Sequence, residues 1–128
     1  MTIKRLPVPA IAPPSSRFAH GVEVADARRI LYVSGQLGVA PDGQLEKGSE
    51  AQIERVWLNV LAILKEAGMG PENVVKVNGY LTRREDVRAY REIRDRMLGG
   101  VAAAATLVVV TALVIPEATV EIEVVAAA

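Results

Sequence analysis

Two glutamates on one apolar strand are the residues of this sequence best suited to proton transfer. Glu121 and Glu123 alternate with valine and isoleucine in the segment 120–125, Val-Glu-Ile-Glu-Val-Val. Successive side chains of a strand point to opposite faces of a sheet, so these two carboxylates share one face. If that face lines a cleft, one of them can act as a general acid or base. If that face is exposed to water, both are surface carboxylates with no role in a site.

Few other residues offer chemistry of their own. His20 is the only histidine, and a lone histidine more often makes a hydrogen bond at a surface or interface than it binds a metal. Ser34-Gly35-Gln36 follows an apolar run, where it forms either a turn that needs glycine or the polar rim of a cleft. There is no cysteine, and no carboxylates or histidines have metal-ligand spacing, so we expect neither a metal site nor a disulfide.

The composition indicates one folded domain over residues 1–128, with residues 1–16 as an irregular, proline-rich lead-in. Of the 128 residues, 51% are hydrophobic and 23% are charged. The 15 basic and 15 acidic side chains cancel, so neither nucleic acid nor an anionic membrane is an expected partner. Prolines interrupt the N-terminal segment, and no apolar run approaches the roughly 20 residues that span a bilayer. A cytoplasmic location is therefore expected.

Hydrophobic periodicity predicts two helices placed between strands. From residue 49, apolar residues recur at steps of three and four until Gly68, and a second such pattern ends at Gly99-Gly100. Ser49 with Gln52, and Thr82 with Glu85, have the form of capping boxes at the starts of these helices. Alternating or β-branched segments predict strands at 17–24, 29–35, 73–81, 105–114 and 119–126.

The predicted order is β-β-β-α-β-α-β-β, in which one of the three strands before the first helix has no range among these five segments, and it is an α+β arrangement of one mixed sheet with two helices on one face. Strands this rich in valine would leave the other sheet face apolar. Because a large exposed apolar surface usually marks an interface, we expect an oligomer.

Several segments together resemble the RidA/YjgF family, some of whose members are also labelled endoribonuclease L-PSP. They are Ser34-Gly35-Gln36, Gln52 and Asn59 in the following helix, Val74 to Val77 leading to Leu81-Thr82, and Val120 to Glu123. The resemblance covers residues 17–126 in matching order. It implies a chorismate-mutase-like subunit, a homotrimer whose sheets form a central barrel, and small-molecule clefts between subunits. It also implies hydrolysis of enamines and imines without a metal or cofactor.

The resemblance assigns roles to individual residues of this chain. Glu121 matches the glutamate that positions or activates a water molecule, and Ser34, Gly35 and Gln36 match a segment that helps line the cleft. Glu123 is left with a structural or interface role.

At four positions the chain departs from the family pattern. Phe18 stands where a cleft tyrosine is usual, His20 where a glutamine is common, and Arg91 where an asparagine is often found. The arginine that binds the substrate carboxylate falls at Ala105, within an alanine run. Losing such a pair costs on the order of several kcal/mol. We therefore expect either a neutral ligand beside Ala105, or Arg91 or Arg17 in the missing role.

These residues predict an enamine or imine hydrolase with altered substrate choice, acting in inter-subunit clefts with Glu121 as its water-activating group. A non-catalytic ligand-binding or regulatory protein is the alternative, favoured by Ala105 and Phe18. An endoribonuclease is a third reading, which zero net charge, a single histidine and 4% aromatic residues support little.

Overall fold

A computed structural model describes all residues 1–128 and contains six strands and two helices. Neither helix combines the length and hydrophobicity needed to cross a membrane. Short 3-10 turns precede the fourth strand and the second helix. The elements are β1 (Thr2–Arg5), β2 (Val22–Ala25), β3 (Ile30–Leu37), α1 (Ser49–Glu66), β4 (Val74–Leu81), α2 (Val87–Met97), β5 (Ala104–Val109) and β6 (Val120–Ala127).

The strands form a four-stranded mixed sheet in the order β3-β6-β4-β5 and a separate antiparallel pair of β1 with β2. Only β4 and β5 run parallel, because α2 lies between them in the chain and carries it back to the same end of the sheet. The predicted order of elements and the α+β, chorismate-mutase-like fold class are confirmed. The single predicted sheet is instead divided in two.

One hydrophobic core joins both helices to one face of the four-stranded sheet. Trp57 of α1, Tyr90 of α2 and Ile122 of β6 are all fully buried in it. A Cβ atom at Gly79 would lie 2.2 Å from the Tyr90 hydroxyl oxygen, so the tyrosine packs directly on the backbone of β4. Burial raises the pKa of Tyr90 to about 12, since the charged phenolate would lack solvation there.

The N-terminal third differs from the prediction. The strand predicted over 17–24 begins only at Val22, because its partner is β1, a four-residue strand inside the lead-in that was expected to be irregular. Residues 17–21 instead run past the free edge of β5. There the Ala19 N–H donates to the Ala103 carbonyl at 2.9 Å, and Ala19 forms an isolated parallel bridge with Ala104.

The first predicted capping box is wrong. Helix α1 has Gly48 as its N-cap, and no side chain caps it. The Ser49 hydroxyl donates to Asp86 Oδ2 at 2.6 Å, which ties the start of α1 to the start of α2. Gln52 is buried and turns toward the loop before β6, where its Oε1 accepts the Thr119 N–H at 2.8 Å.

The second predicted capping box is also wrong. Thr82 lies before a 3-10 turn that contains Glu85, has Arg83 as its N-cap and has no capping side chain. The Thr82 N–H instead donates to the Thr119 carbonyl at 3.1 Å. Ser49 and Gln52 instead bond to Asp86 and Thr119, which lie far along the chain and which local sequence cannot reveal.

The sheet face opposite the helices is not the apolar surface that valine content predicted. Valines of β4 and β6 alternate, and their buried members face the helices. Tyr32, which is 77% exposed, and Val108, which is 40% exposed, add apolar surface toward the two edges. The centre of the face is polar and carries Lys76, Asn78, Tyr80, Glu121 and Glu123.

The Gln52 network should contribute strongly to stability. The Gln52 amide also donates to the carbonyls of Glu46 at 3.1 Å and Glu117 at 3.2 Å. Gln52→Ala leaves these buried groups without partners, so we expect the free energy of unfolding in urea to fall by about 2–4 kcal/mol. Gln44→Ala, at an exposed loop position, is the control and should change it by less than about 0.5 kcal/mol. Equal effects of the two substitutions would contradict this account.

Candidate functional site

The two glutamates of β6 lie on one face of the sheet, as predicted, but their surroundings differ. The Tyr80 hydroxyl donates to Glu123 Oε1 at 2.7 Å, and Asn78 Nδ2 donates to the same oxygen at 3.2 Å. Both donors come from β4, in which Asn78 lies opposite Glu123 and Tyr80 lies opposite Glu121. Glu123 is therefore held in place by two neighbours on the adjacent strand.

Glu121 accepts no hydrogen bond and forms no ion pair within the chain. Its side chain is half-buried and lies over a bulge of β3 between Val33 and Gln36. A Cβ atom at Gly35 would lie only 2.1 Å from Glu121 Oε1, so the absence of a side chain at Gly35 makes room for this carboxylate. Glu121 is thus positioned by packing, and its oxygens remain free to bind a water molecule or a ligand.

The Ser34-Gly35-Gln36 segment is divided between two faces. Ser34 lines a cavity of about 330 Å³ on the polar face together with Tyr32, Asn78 and Glu123. Gln36 lies opposite the buried Ile122, on the other face, and its amide donates to the Ser34 carbonyl at 3.1 Å. Ser34 therefore accompanies Glu123 and Gly35 accompanies Glu121, whereas Gln36 supports the bulge.

Phe18 and His20 flank Ala19 beyond the free edge of β5. Their rings meet edge to face with centroids 5.6 Å apart. His20 Nε2 donates a hydrogen bond to the Ala12 carbonyl at 2.7 Å, which ties the proline-rich arm to this segment. Both rings line a cavity of about 710 Å³ beneath that arm.

The strand order separates these two groups of residues within one chain. Ser34 and Gly35 lie on β3, at one edge of the sheet, and Ala19 lies beyond β5, at the other edge. With strands about 4.8 Å apart, the segment 18–20 lies about 19 Å from β3 and about 14 Å from Glu121 on β6. A single chain does not bring them into one site.

Arg91 does not reach Glu121. It is exposed on α2, whereas Tyr90 and Ile93 on the same helix face the core, and the helix covers the opposite face of the sheet. Arg17 Nη1 lies 3.0 Å from the position of a Cβ at Gly100, in the turn after α2. Within one chain, neither predicted substitute for the missing arginine lies beside Glu121.

Ala105 lies opposite Val77 and therefore on the side of the buried core residues, near the segment 18–20.

Tyr80 and Asn78 were missed as site residues. The polar residues at alternate positions of β4, Lys76, Asn78 and Tyr80, were the signal that could have identified them. No group of three or more histidines and carboxylates has an arrangement that could hold a metal ion.

Comparisons with known proteins agree with this geometry. Residues 10–128 match the family model described as endoribonuclease L-PSP. A RutC family protein of Aquifex aeolicus is 34% identical over 94 residues, covering 73% of this chain and 70% of that protein. The Rid family protein YyfB of Yersinia pestis has a TM-score of 0.89 at 28% identity and covers 100% of both chains. RidA of an Antarctic Psychrobacter has a TM-score of 0.74 at 30% identity, covering 98% of this chain and 99% of that one.

The Tyr80–Glu123 pair should be visible in a pH titration. The hydrogen bond to Glu123 raises the pKa of Tyr80 above its ordinary value of 10.0, helped by burial and by the charges of Glu123 and Glu121. Glu123→Gln should lower that pKa toward 10.0, measured by tyrosinate absorbance, with Tyr80→Phe identifying the signal.

The raised pKa of Tyr80 determines how the stability of the fold changes with pH. The folded state holds the Tyr80 proton more tightly than the unfolded chain does. The contribution of the Tyr80–Glu123 pair to the free energy of unfolding is therefore complete below the ordinary pKa of 10.0. It is lost as the pH rises through the pKa of Tyr80 in the folded protein. An identical titration in Glu123→Gln and the unmodified protein would show that the pair has no such role.

Proposed function

This chain belongs to the RidA/YjgF family, also described as endoribonuclease L-PSP, and we propose that it hydrolyses small enamines or imines. The observation that carries this proposal is the Glu121 carboxylate, which is half-buried over Gly35 and has no donor from the protein. A carboxylate that is held by packing but free at both oxygens is suited to accept a proton from a bound water molecule.

The reaction requires one proton acceptor that later returns the proton. An enamine first takes a proton from solvent at carbon, and an imine takes one at nitrogen, to give the same type of iminium ion. Glu121 takes a proton from water while the water oxygen attacks the iminium carbon, giving a neutral carbinolamine. The Glu121 proton then passes to the nitrogen, the C–N bond breaks, and the hydroxyl proton goes to Glu121 and on to solvent, which leaves a carbonyl compound and ammonia or an amine. Neither a metal nor a cofactor is needed for these steps.

The proposed site lies in a cleft between subunits of a homotrimer. Its support is the separation of the site residues: Glu121, Ser34 and Gly35 lie toward one edge of the sheet, and Phe18 and His20 lie beyond the other. Apposition of the opposite edges of two chains would unite the two groups. The trimer and the cytoplasmic location both remain predictions.

Ala105 supports a substrate choice different from that of the family's usual 2-imino acids. An arginine–carboxylate pair is strong and directional, and an alanine methyl group cannot replace it. Because Ala105 provides no guanidinium, the proposed substrate lacks a carboxylate next to the reacting carbon.

A non-catalytic ligand-binding protein is the second candidate, favoured by Ala105 and by the loss of a hydroxyl at Phe18. In that case the same clefts bind a ligand without turnover. The endoribonuclease reading is not favoured by any feature of the sheet face, whose central charges are mainly the carboxylates Glu121 and Glu123.

Glu121→Gln should abolish most imine hydrolysis while leaving the fold intact. Loss of a general base costs about 10²- to 10⁴-fold in kcat, and glutamine keeps the volume of the side chain. The assay uses a panel of imines with and without a carboxylate, and it follows release of the amine.

Glu85→Gln, at an exposed position of the 3-10 turn before α2, is the matched control and should retain full activity. If the unmodified protein turned over no substrate of the panel faster than Glu121→Gln does, hydrolysis would be excluded. Ligand binding without turnover would then favour the second candidate.

A further inference from the structure

The cavity on the polar sheet face has a single charged residue in its wall, Glu123. Ser34 and Asn78 are the polar residues beside it, and the wall is completed by the exposed ring of Tyr32 and by valines of β3 and β6. Its volume of about 330 Å³ is at the lower end of the range of small-molecule sites. A ligand that fits this cavity is therefore small.

The negative charge of Glu123 is not neutralised within the chain. Its two hydrogen-bond donors, the Tyr80 hydroxyl and the Asn78 amide, are neutral groups, and Glu123 belongs to none of the ion pairs. Lys76 on β4 does not line the cavity, because its Nζ donates at 3.3 Å to the Thr106 hydroxyl on β5, on the other side of β4 from β6. The electrostatic potential of this cavity therefore favours a cationic ligand.

Three side chains of the cavity wall have acceptor atoms that the chain leaves unused. Both donors to Glu123 bond to Oε1, so its Oε2 accepts no hydrogen bond. Asn78 donates through its amide nitrogen, which leaves its Oδ1 as a free acceptor. Gln36 bonds to the main-chain carbonyl of Ser34 and not to its hydroxyl, which has no partner in the chain. Three acceptors, one of them charged, thus border the same space.

A primary ammonium group is the cation that matches this set of acceptors. It has three N–H donors and no acceptor. A divalent metal ion matches it poorly, because the wall provides one carboxylate and no histidine. The exposed Tyr32 ring can cover a cation or the methylene groups attached to it. Tyr80 and Asn78 already hold the Glu123 carboxylate in one orientation, which lowers the entropy lost on binding.

We propose that this cavity binds the primary ammonium group of a small organic amine, with Glu123 as its anionic partner. The ammonium group donates to Glu123 Oε2, Asn78 Oδ1 and Ser34 Oγ, and the alkyl part lies along the Tyr32 ring. The proposal goes beyond imine hydrolysis, because it concerns binding at Glu123 and requires no turnover at Glu121.

An NMR titration of the protein with butylammonium, pentan-1-ol and butyltrimethylammonium tests this site. The unmodified protein should bind butylammonium at least about tenfold more tightly than pentan-1-ol, because a charge-assisted hydrogen bond is stronger than a neutral one. Butyltrimethylammonium keeps the charge but has no N–H donor, so it should bind at least about threefold more weakly than butylammonium.

Substitutions in the wall separate the charge from the shape of the cavity. Glu123→Gln should remove the preference for butylammonium over pentan-1-ol, because glutamine keeps an oxygen for the Tyr80 and Asn78 donors but carries no charge. Ser34→Ala should weaken butylammonium binding by about two- to tenfold, the effect of one lost hydrogen bond. Glu66→Gln, an exposed change at the end of α1, is the control and should preserve the preference.

Three results would overturn the proposal. They are equal affinity for butylammonium and pentan-1-ol, equal affinity for butylammonium and butyltrimethylammonium, and loss of the preference in Glu121→Gln but not in Glu123→Gln. Because Glu123→Gln can also disturb the sheet face, amide chemical shifts of the unmodified protein provide a second readout. Butylammonium should shift Ser34, Asn78 and Val125, and shifts confined to residues outside the cavity wall would contradict the assignment.

Discussion

The strand order β3-β6-β4-β5 is the constraint on which the site depends. It places the bulge that holds Glu121 toward one edge and the Phe18–His20 segment beyond the other. Hydrogen-bonding distances between strands fix this separation, so no side-chain rotation can close it. A site that contains both groups therefore needs a second chain. The proposed trimer would meet this need by bringing the two groups together from different chains.

Backbone geometry gives the two carboxylates of β6, Glu121 and Glu123, different surroundings although they are chemically equivalent. Tyr80 and Asn78 on the adjacent strand donate hydrogen bonds to Glu123, whereas Glu121 lies against the backbone of Gly35. The pair thus separates into a carboxylate that organises the sheet face and a carboxylate that remains free. Catalytic sites commonly divide neighbouring carboxylates in this way, because differing environments give them different roles.

The sequence predicted the fold class, the helices and the shared face of Glu121 and Glu123, because these depend on periodicity within one segment. It could not predict the partners of Ser49 and Gln52, since Asp86 and Thr119 lie far along the chain. The bulge at Ser34-Gly35 turned Gln36 to the opposite face, which strict alternation does not anticipate.

The union of opposite sheet edges is tested most directly by chemical cross-linking. The chain has no cysteine, so Ser34→Cys and His20→Cys introduce unique reactive positions, one in each group of residues. A short bismaleimide added to a mixture of the two single-cysteine proteins should join unlike chains, because in the proposed trimer each His20 position lies beside a Ser34 position of a neighbour. A monomer in solution that gives no product between chains would contradict the account.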